Sequence, residues 1–133
     1  MNRVPHENPK HLTAEAVKAI HAQVLAAHGG AEGLREAGLL ESAVAAPQAT
    51  WGGEPVMDDP REIAAAYLFY LCRNHAFVDG NKRVGLAAML VFLRLNGSGL
   101  HVPPAELYEL VIGVATSRLR EDAVAEWLRP RIG

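Results

Sequence analysis

Apolar residues recur along this chain with the period of an α-helix, in blocks separated by glycine and proline. The first block follows a polar stretch broken by Pro5 and Pro9, so residues 1–12 read as a flexible arm and residues 13–133 as one domain. Thr13 is the N-cap candidate and Glu15 suits the first turn. Val17, Ile20, Val24 and Leu25 then share one face, and Gly29-Gly30 ends the helix. His21 and His28 extend the same stripe. No carboxylate or cysteine accompanies them at metal spacing, so both read as packed or capping histidines. Residues 33–46 predict a turn and a short helix that stops before Pro47. Residues 48–60 are the least helical, with Gly52-Gly53, Pro55 and Pro60 around Trp51, Val56 and Met57, and predict a flap-like loop or small hairpin. Glu62 to Arg73 is a helix apolar almost all round, and so buried. After a loop over residues 74–80, a helix of about four turns spans Asn81 to Leu95, apolar on nearly every face and closed by Asn96-Gly97. Leu100 to Val102 is briefly extended. Pro104 opens a helix to about Ala115, and a last one spans Glu121 to Leu128.

Composition narrows the class. Half of the 133 residues are apolar, with alanine and leucine leading and strand-forming residues sparse, which predicts an all-α compact bundle. Its centre would be the buried helix after residue 80, with a small flap beside it. The single cysteine, Cys72, sits in an apolar run and reads as a buried, inert thiol that forms no internal disulfide. The N-terminus lacks the apolar core of a secretory signal, and no apolar run reaches the roughly 20 residues of a membrane span. A cytoplasmic protein with no membrane role is expected. The net charge of −2 argues against nucleic-acid binding. Arg118, Arg120, Arg129 and Arg131 cluster near the C-terminus, as a solvated helix face or, more sharply, as a patch for an acidic partner.

One stretch concentrates the chemistry. Residues 75–83, HAFVDGNKR, lie at the mouth of the most apolar segment. A helix starting near Asn81 presents free N–H groups and a positive dipole end, which attract phosphate. Gly80 lets the backbone approach a ligand closely. Lys82 and Arg83 add charge at the helix end where cations are unfavourable for stability, which calls for an anion to compensate. Asn81 can donate an amide hydrogen bond to an oxygen gaining charge. Asp79 would repel a phosphate unless it holds Mg²⁺. His75 has the chemistry of a general base. Phe77 is expected to tuck inward and pin the loop. The set predicts transfer of a phosphate-containing group from a nucleotide. Neither G-x-x-x-x-G-K-[ST] nor a G-x-G-x-x-G after a strand is present.

HAFVDGNKR resembles the signature H-x-F-x-[D/E]-G-N-[G/K]-R of the Fic/Doc superfamily. GLREAGLLESAVAAP, AAAYLFYLCRNH and FLRLNG resemble the flanking segments of its Doc, or death-on-curing, branch, so that the likeness runs from about residue 12 to residue 129. The resemblance implies a Fic fold and nucleotide-dependent modification of a protein hydroxyl. His75 would take the hydroxyl proton and Asp79 would bind Mg²⁺. Gly80, Asn81, Lys82 and Arg83 would hold the nucleotide phosphates, and residues 48–58 would align the target. Lys82 stands where AMP-transferring relatives have glycine, and Leu86 where they have a second arginine. Both departures resemble Doc toxins, in which ATP binds in the reverse sense and the γ-phosphate moves. The resemblance thus implies an ATP- and Mg²⁺-dependent Ser/Thr kinase toxin, acting on translation elongation factor Tu. Its partner would be an antitoxin whose C-terminal segment folds on binding. The alternatives are AMP transfer by the same residues, or a catalytically inactive partner-binding module. Ala76 stands where proline is frequent. SRLRED, residues 117–122, falls one residue short of an inhibitory-helix pattern [S/T]-x-x-x-E-[G/N] and reads as ordinary helix capping.

Overall fold

The computed structural model describes residues 9–132, and their local sequence accounts for most of the element ends. Thr13 caps α1 (Ala14–His28), its hydroxyl accepting from the Ala16 N–H at 3.0 Å, and Gly29 at φ 78° ends it. Helix α2 (Ala37–Ala45) passes into a 3₁₀ turn over Ala46–Gln48, so Pro47 lies inside a helical turn rather than beyond it. Proline fits there because the first turn needs no N–H from it. Strands β1 (Thr50–Trp51) and β2 (Glu54–Pro55) pair antiparallel as a hairpin, and the turn takes Gly52 and Gly53 at positive φ. Helix α3 (Pro60–Asn74) starts two residues before the expected Glu62, because Asp59 caps it and Pro60 takes the first helical position. Asp59 accepts from the Arg61 N–H and pairs with its guanidinium at 3.0 Å. Burial works to raise the Asp59 pKa, but the Arg61 hydrogen bonds and charge overcome it and hold the carboxyl below its usual value. Helices α4 (Asn81–Leu95), α5 (Pro104–Ala115) and α6 (Glu121–Leu128) have the expected bounds. The expected extended segment is one bridge, Leu100 to Ile132, tying the chain's end to the α4–α5 connection.

Helix α3 runs through the middle of the bundle. Ile63, Ala64, Ala65, Ala66, Tyr67, Leu68, Leu71 and Cys72 are all buried on it. Helix α4 lies along α3 and buries Val84, Ala88, Met89, Phe92 and Leu93. It keeps a second face, with Val91 and Leu95, in solvent, so the helix expected at the centre is one-sided. The approach of the two helices depends on Gly85. A Cβ there would stand 3.2 Å from the Leu68 carbonyl oxygen and 3.3 Å from the Cys72 nitrogen, both main-chain atoms. Burial pushes the Cys72 thiol pKa up, against the pull of Lys82 and Arg73, as suits an inert thiol.

The arm expected over residues 1–12 lies outside the described residues up to residue 8. Residues 10–12 are pinned. Lys10 and Asn96 exchange two hydrogen bonds of 2.7 and 2.9 Å, and Leu12 is buried. The Tyr67 hydroxyl accepts from the Leu12 N–H at 3.0 Å and meets His11 Nδ1 at 2.8 Å. Burial pushes the Tyr67 hydroxyl up to about 12 and lowers the pKa of His11. Among the described residues, no helix is long and apolar enough to cross a membrane.

Candidate active site

The polar loop begins where α3 ends. A helix commonly terminates in a left-handed residue, and glycine is the usual choice. Here His75 takes that conformation, φ 52° and ψ 47°. It is one of two non-glycine residues with positive φ among those described, the other being Ser117. The bend carries the exposed His75 imidazole out of the bundle while Ala76 and Phe77 turn back into the core.

The loop is braced by parts of the chain far from it in sequence. Residues 33–35 run alongside residues 76–78 and bridge Leu34 to Phe77. The Arg35 N–H donates to the Ala76 carbonyl at 2.7 Å, and the Val78 N–H to the Gly33 carbonyl at 2.9 Å. Arg35 Nη1 donates to the His75 carbonyl at 2.8 Å. From α1, the buried His21 ring stacks on Phe77 with centroids 3.9 Å apart, and its Nε2 donates to the Asp79 carbonyl at 2.9 Å. His21 is thus packed, whereas His28 is exposed in the last turn of α1.

Asp79 is oriented by main-chain donors. Its Oδ1 accepts from the Gly80 N–H at 2.8 Å and its Oδ2 from the Ala31 N–H at 3.2 Å. Gly30 makes room for it, at φ 121° and with a hypothetical Cβ 2.8 Å from Asp79 Oδ2. The carboxylate stays exposed, and each oxygen keeps a lone pair free. Among the described residues, no group of three or more His, Cys, Asp or Glu side chains gathers around a common point. Asp79 is the one carboxylate of residues 75–83 and could offer an oxygen to a hard cation of the kind that binds through one or two carboxylates.

Helix α4 starts from Gly80 at φ 83°, with no side-chain cap and no acidic residue in its first turn. Lys82 and Arg83 are exposed, and neither forms an ion pair among the described residues. Asn81 has a structural task as well. Its Oδ1 accepts from the Phe77 N–H at 3.0 Å and its Nδ2 donates to the Phe77 carbonyl at 2.9 Å. The side chain staples the loop with one N–H of its amide and keeps the other beside the main-chain N–H groups of α4. Residues 75–83 therefore bring together an exposed imidazole, an oriented carboxylate and an uncapped positive helix end. Sequence reasoning missed the braces Arg35, Gly30 and Ala31, and the bond from His21 to the loop. The Gly29-Gly30 pair is the one local signal here: it stops α1, and Gly30 also makes room for Asp79.

The model of the Fic/DOC family matches residues 11–93. The chain belongs to the Fic/DOC family. It is 35% identical over 124 residues to a protein named "Protein kinase doc" from Escherichia phage P1, covering 93% of this chain and 97% of that one. It is 45% identical over 103 residues to "Toxin Doc" of Mycolicibacterium smegmatis, covering 74% of this chain and 78% of that one. The family match runs from α1 through α4, and so includes the loop together with His21 and Arg35.

A second feature lies apart from the loop. A cleft of about 1030 Å³ opens between the hairpin side, α3 and α6, and none of residues 75–83 lines it. Arg120 and Arg129 face it together with Glu121, Asp122 and Glu126. Arg129 pairs with Glu126 at 3.2 Å, and Arg131 lies over Trp127 and 3.6 Å from Glu106. Arg129 and Arg131 are thus matched by acids, whereas Arg118 and Arg120 form no ion pair among the described residues.

Proposed function

We propose that this protein is a Doc-like toxin that transfers the γ-phosphate of ATP to a Ser or Thr hydroxyl of a protein. The observation that carries the reading is the start of α4: an uncapped helix end with two unpaired cations beside an oriented carboxylate and an exposed imidazole. The family membership and the names of both relatives support it. His75 takes the proton of the target hydroxyl as that oxygen bonds to the γ-phosphorus. The bond from the γ-phosphorus to the bridging oxygen breaks, and ADP leaves. The main-chain N–H groups at Asn81 and beyond, with Lys82 and Arg83, hold the phosphates; Gly80 allows their close approach. Asp79 would hold Mg²⁺, which neutralises phosphate charge as it builds up. Leu86 leaves the second arginine of AMP-transferring relatives absent, which favours γ-phosphate transfer over AMP transfer.

The target we favour is elongation factor Tu, so that modification stops translation in the cytoplasm. An antitoxin whose C-terminal segment folds on the toxin would restrain it. The exposed hairpin, with Trp51 85% exposed, would align the target. The test is incubation with purified elongation factor Tu and ATP labelled at the γ- or the α-phosphate, with a His75→Ala control. Label from γ alone supports the reading. Label from α alone replaces it with AMP transfer, and no label from either on any protein of a lysate replaces it with a non-catalytic binding module.

A further inference from the structure

A left-handed histidine at a helix end needs outside support. Its own side chain is short of local partners, and the backbone conformation is one that side-chain-bearing residues rarely hold. At the carbonyls of His75 and Ala76 that support comes from Arg35. Arg35 holds two successive carbonyls across the bend: its main-chain N–H reaches Ala76 O at 2.7 Å, and its Nη1 reaches His75 O at 2.8 Å. The other end of the loop is held separately, by His21 on the Asp79 carbonyl and Ala31 on the Asp79 carboxylate.

We infer that Arg35 is a positioning residue for the reaction: its guanidinium keeps His75 in the left-handed bend from which the imidazole meets the target hydroxyl. The inference rests on the proposed phosphate transfer for its activity readout, and on backbone geometry for a second readout that needs no activity. Because Arg35 acts only at the His75 end, removing its side chain lowers turnover and leaves nucleotide binding intact. Its main-chain bond to Ala76 survives substitution by Met or Lys, and Arg35 is exposed, so these variants keep the fold.

The experiment compares wild type with Arg35→Met and Arg35→Lys. It measures kcat for label transfer, the Kd of Mg-ATP by calorimetry, and the backbone conformation at residue 75 from NMR chemical shifts. Arg35→Met is expected to lower kcat by on the order of 10- to 100-fold, the scale of a misplaced catalytic group. Its Kd should be unchanged, and residue 75 should leave the left-handed region. Arg35→Lys, which keeps one donor, should recover part of both. Unchanged turnover in Arg35→Met overturns the inference. So does a fall in kcat with residue 75 still left-handed, since Arg35 would then act on the substrate directly. If the wild type transfers no label, the proposed function fails instead. The shifts then decide the inference alone: a residue 75 that stays left-handed in Arg35→Met overturns it.

Discussion

The two long helices that pack together, α3 and α4, begin in opposite ways. Helix α3 starts as stability asks: an aspartate cap, proline in the first position, an Arg61 clamp on the cap and Glu62 in the first turn. Helix α4 starts from a left-handed glycine, without a side-chain cap or an acid, and places two exposed cations where the dipole is positive. Both bury a full face, so packing cannot account for the contrast. A chain that caps one helix this fully and leaves its neighbour open has given up local stability at the second site. That is expected where an anionic ligand completes the structure.

Four changes break or sharpen that contrast. The largest effect belongs to the working end: His75→Ala should lower transfer on the order of 100- to 10,000-fold with little change in melting temperature, checked by label transfer and calorimetry. Next, Gly85→Val forces side-chain atoms toward the α3 main chain and should cost about 1–3 kcal/mol in a denaturant titration, because Leu68 O and Cys72 N cannot yield. Third, Asp59→Ala removes the well-built cap and should cost about 1 kcal/mol while leaving nucleotide binding unchanged. A further set of effects comes from pH at the pinned N-terminal strap. Tyr67 has a folded pKa of about 12 against an ordinary 10.0, so its stabilising contribution is full below pH 10 and fades as pH rises toward 12. His11 has a folded pKa below the ordinary 6.5, so the unfolded chain binds more protons and stability falls as pH drops below about 6.5. Thermal melts across pH should show both slopes, and Tyr67→Phe should flatten the alkaline one, leaving the part due to Tyr70 and Cys72, whose pKa values burial also raises.

The helices were legible because their signals are local. Thr13, Gly29, Pro104 and the apolar spacing of α4 each act within one turn of themselves. Asp59-Pro60 was legible too, but the proline was counted as a breaker instead of a first helical residue. The loop chemistry could be read from HAFVDGNKR because the side chains with chemical roles are adjacent in sequence. The braces could not. Arg35 is 40 residues from His75, and His21 is 58 from Asp79, and nothing local in either tells which carbonyl it will meet. Asn81 shows the same limit from the other side: the sequence does not tell that its amide also binds Phe77 four residues away, with one of its two N–H groups. Gly85 carries no local sign of its task inside an apolar run, though the α3–α4 approach depends on it.

The most direct test of the α4 start is the double substitution Lys82→Gln with Arg83→Gln, melted with and without Mg-ATP. The ligand-free variant should be more stable than wild type by about 0.5–2 kcal/mol, since two cations leave the positive end of a helix. The rise in Tm produced by Mg-ATP in the wild type should disappear. A variant less stable than wild type that still gains the full Mg-ATP shift would contradict both: the cations would then belong to the fold, and the phosphates would bind elsewhere.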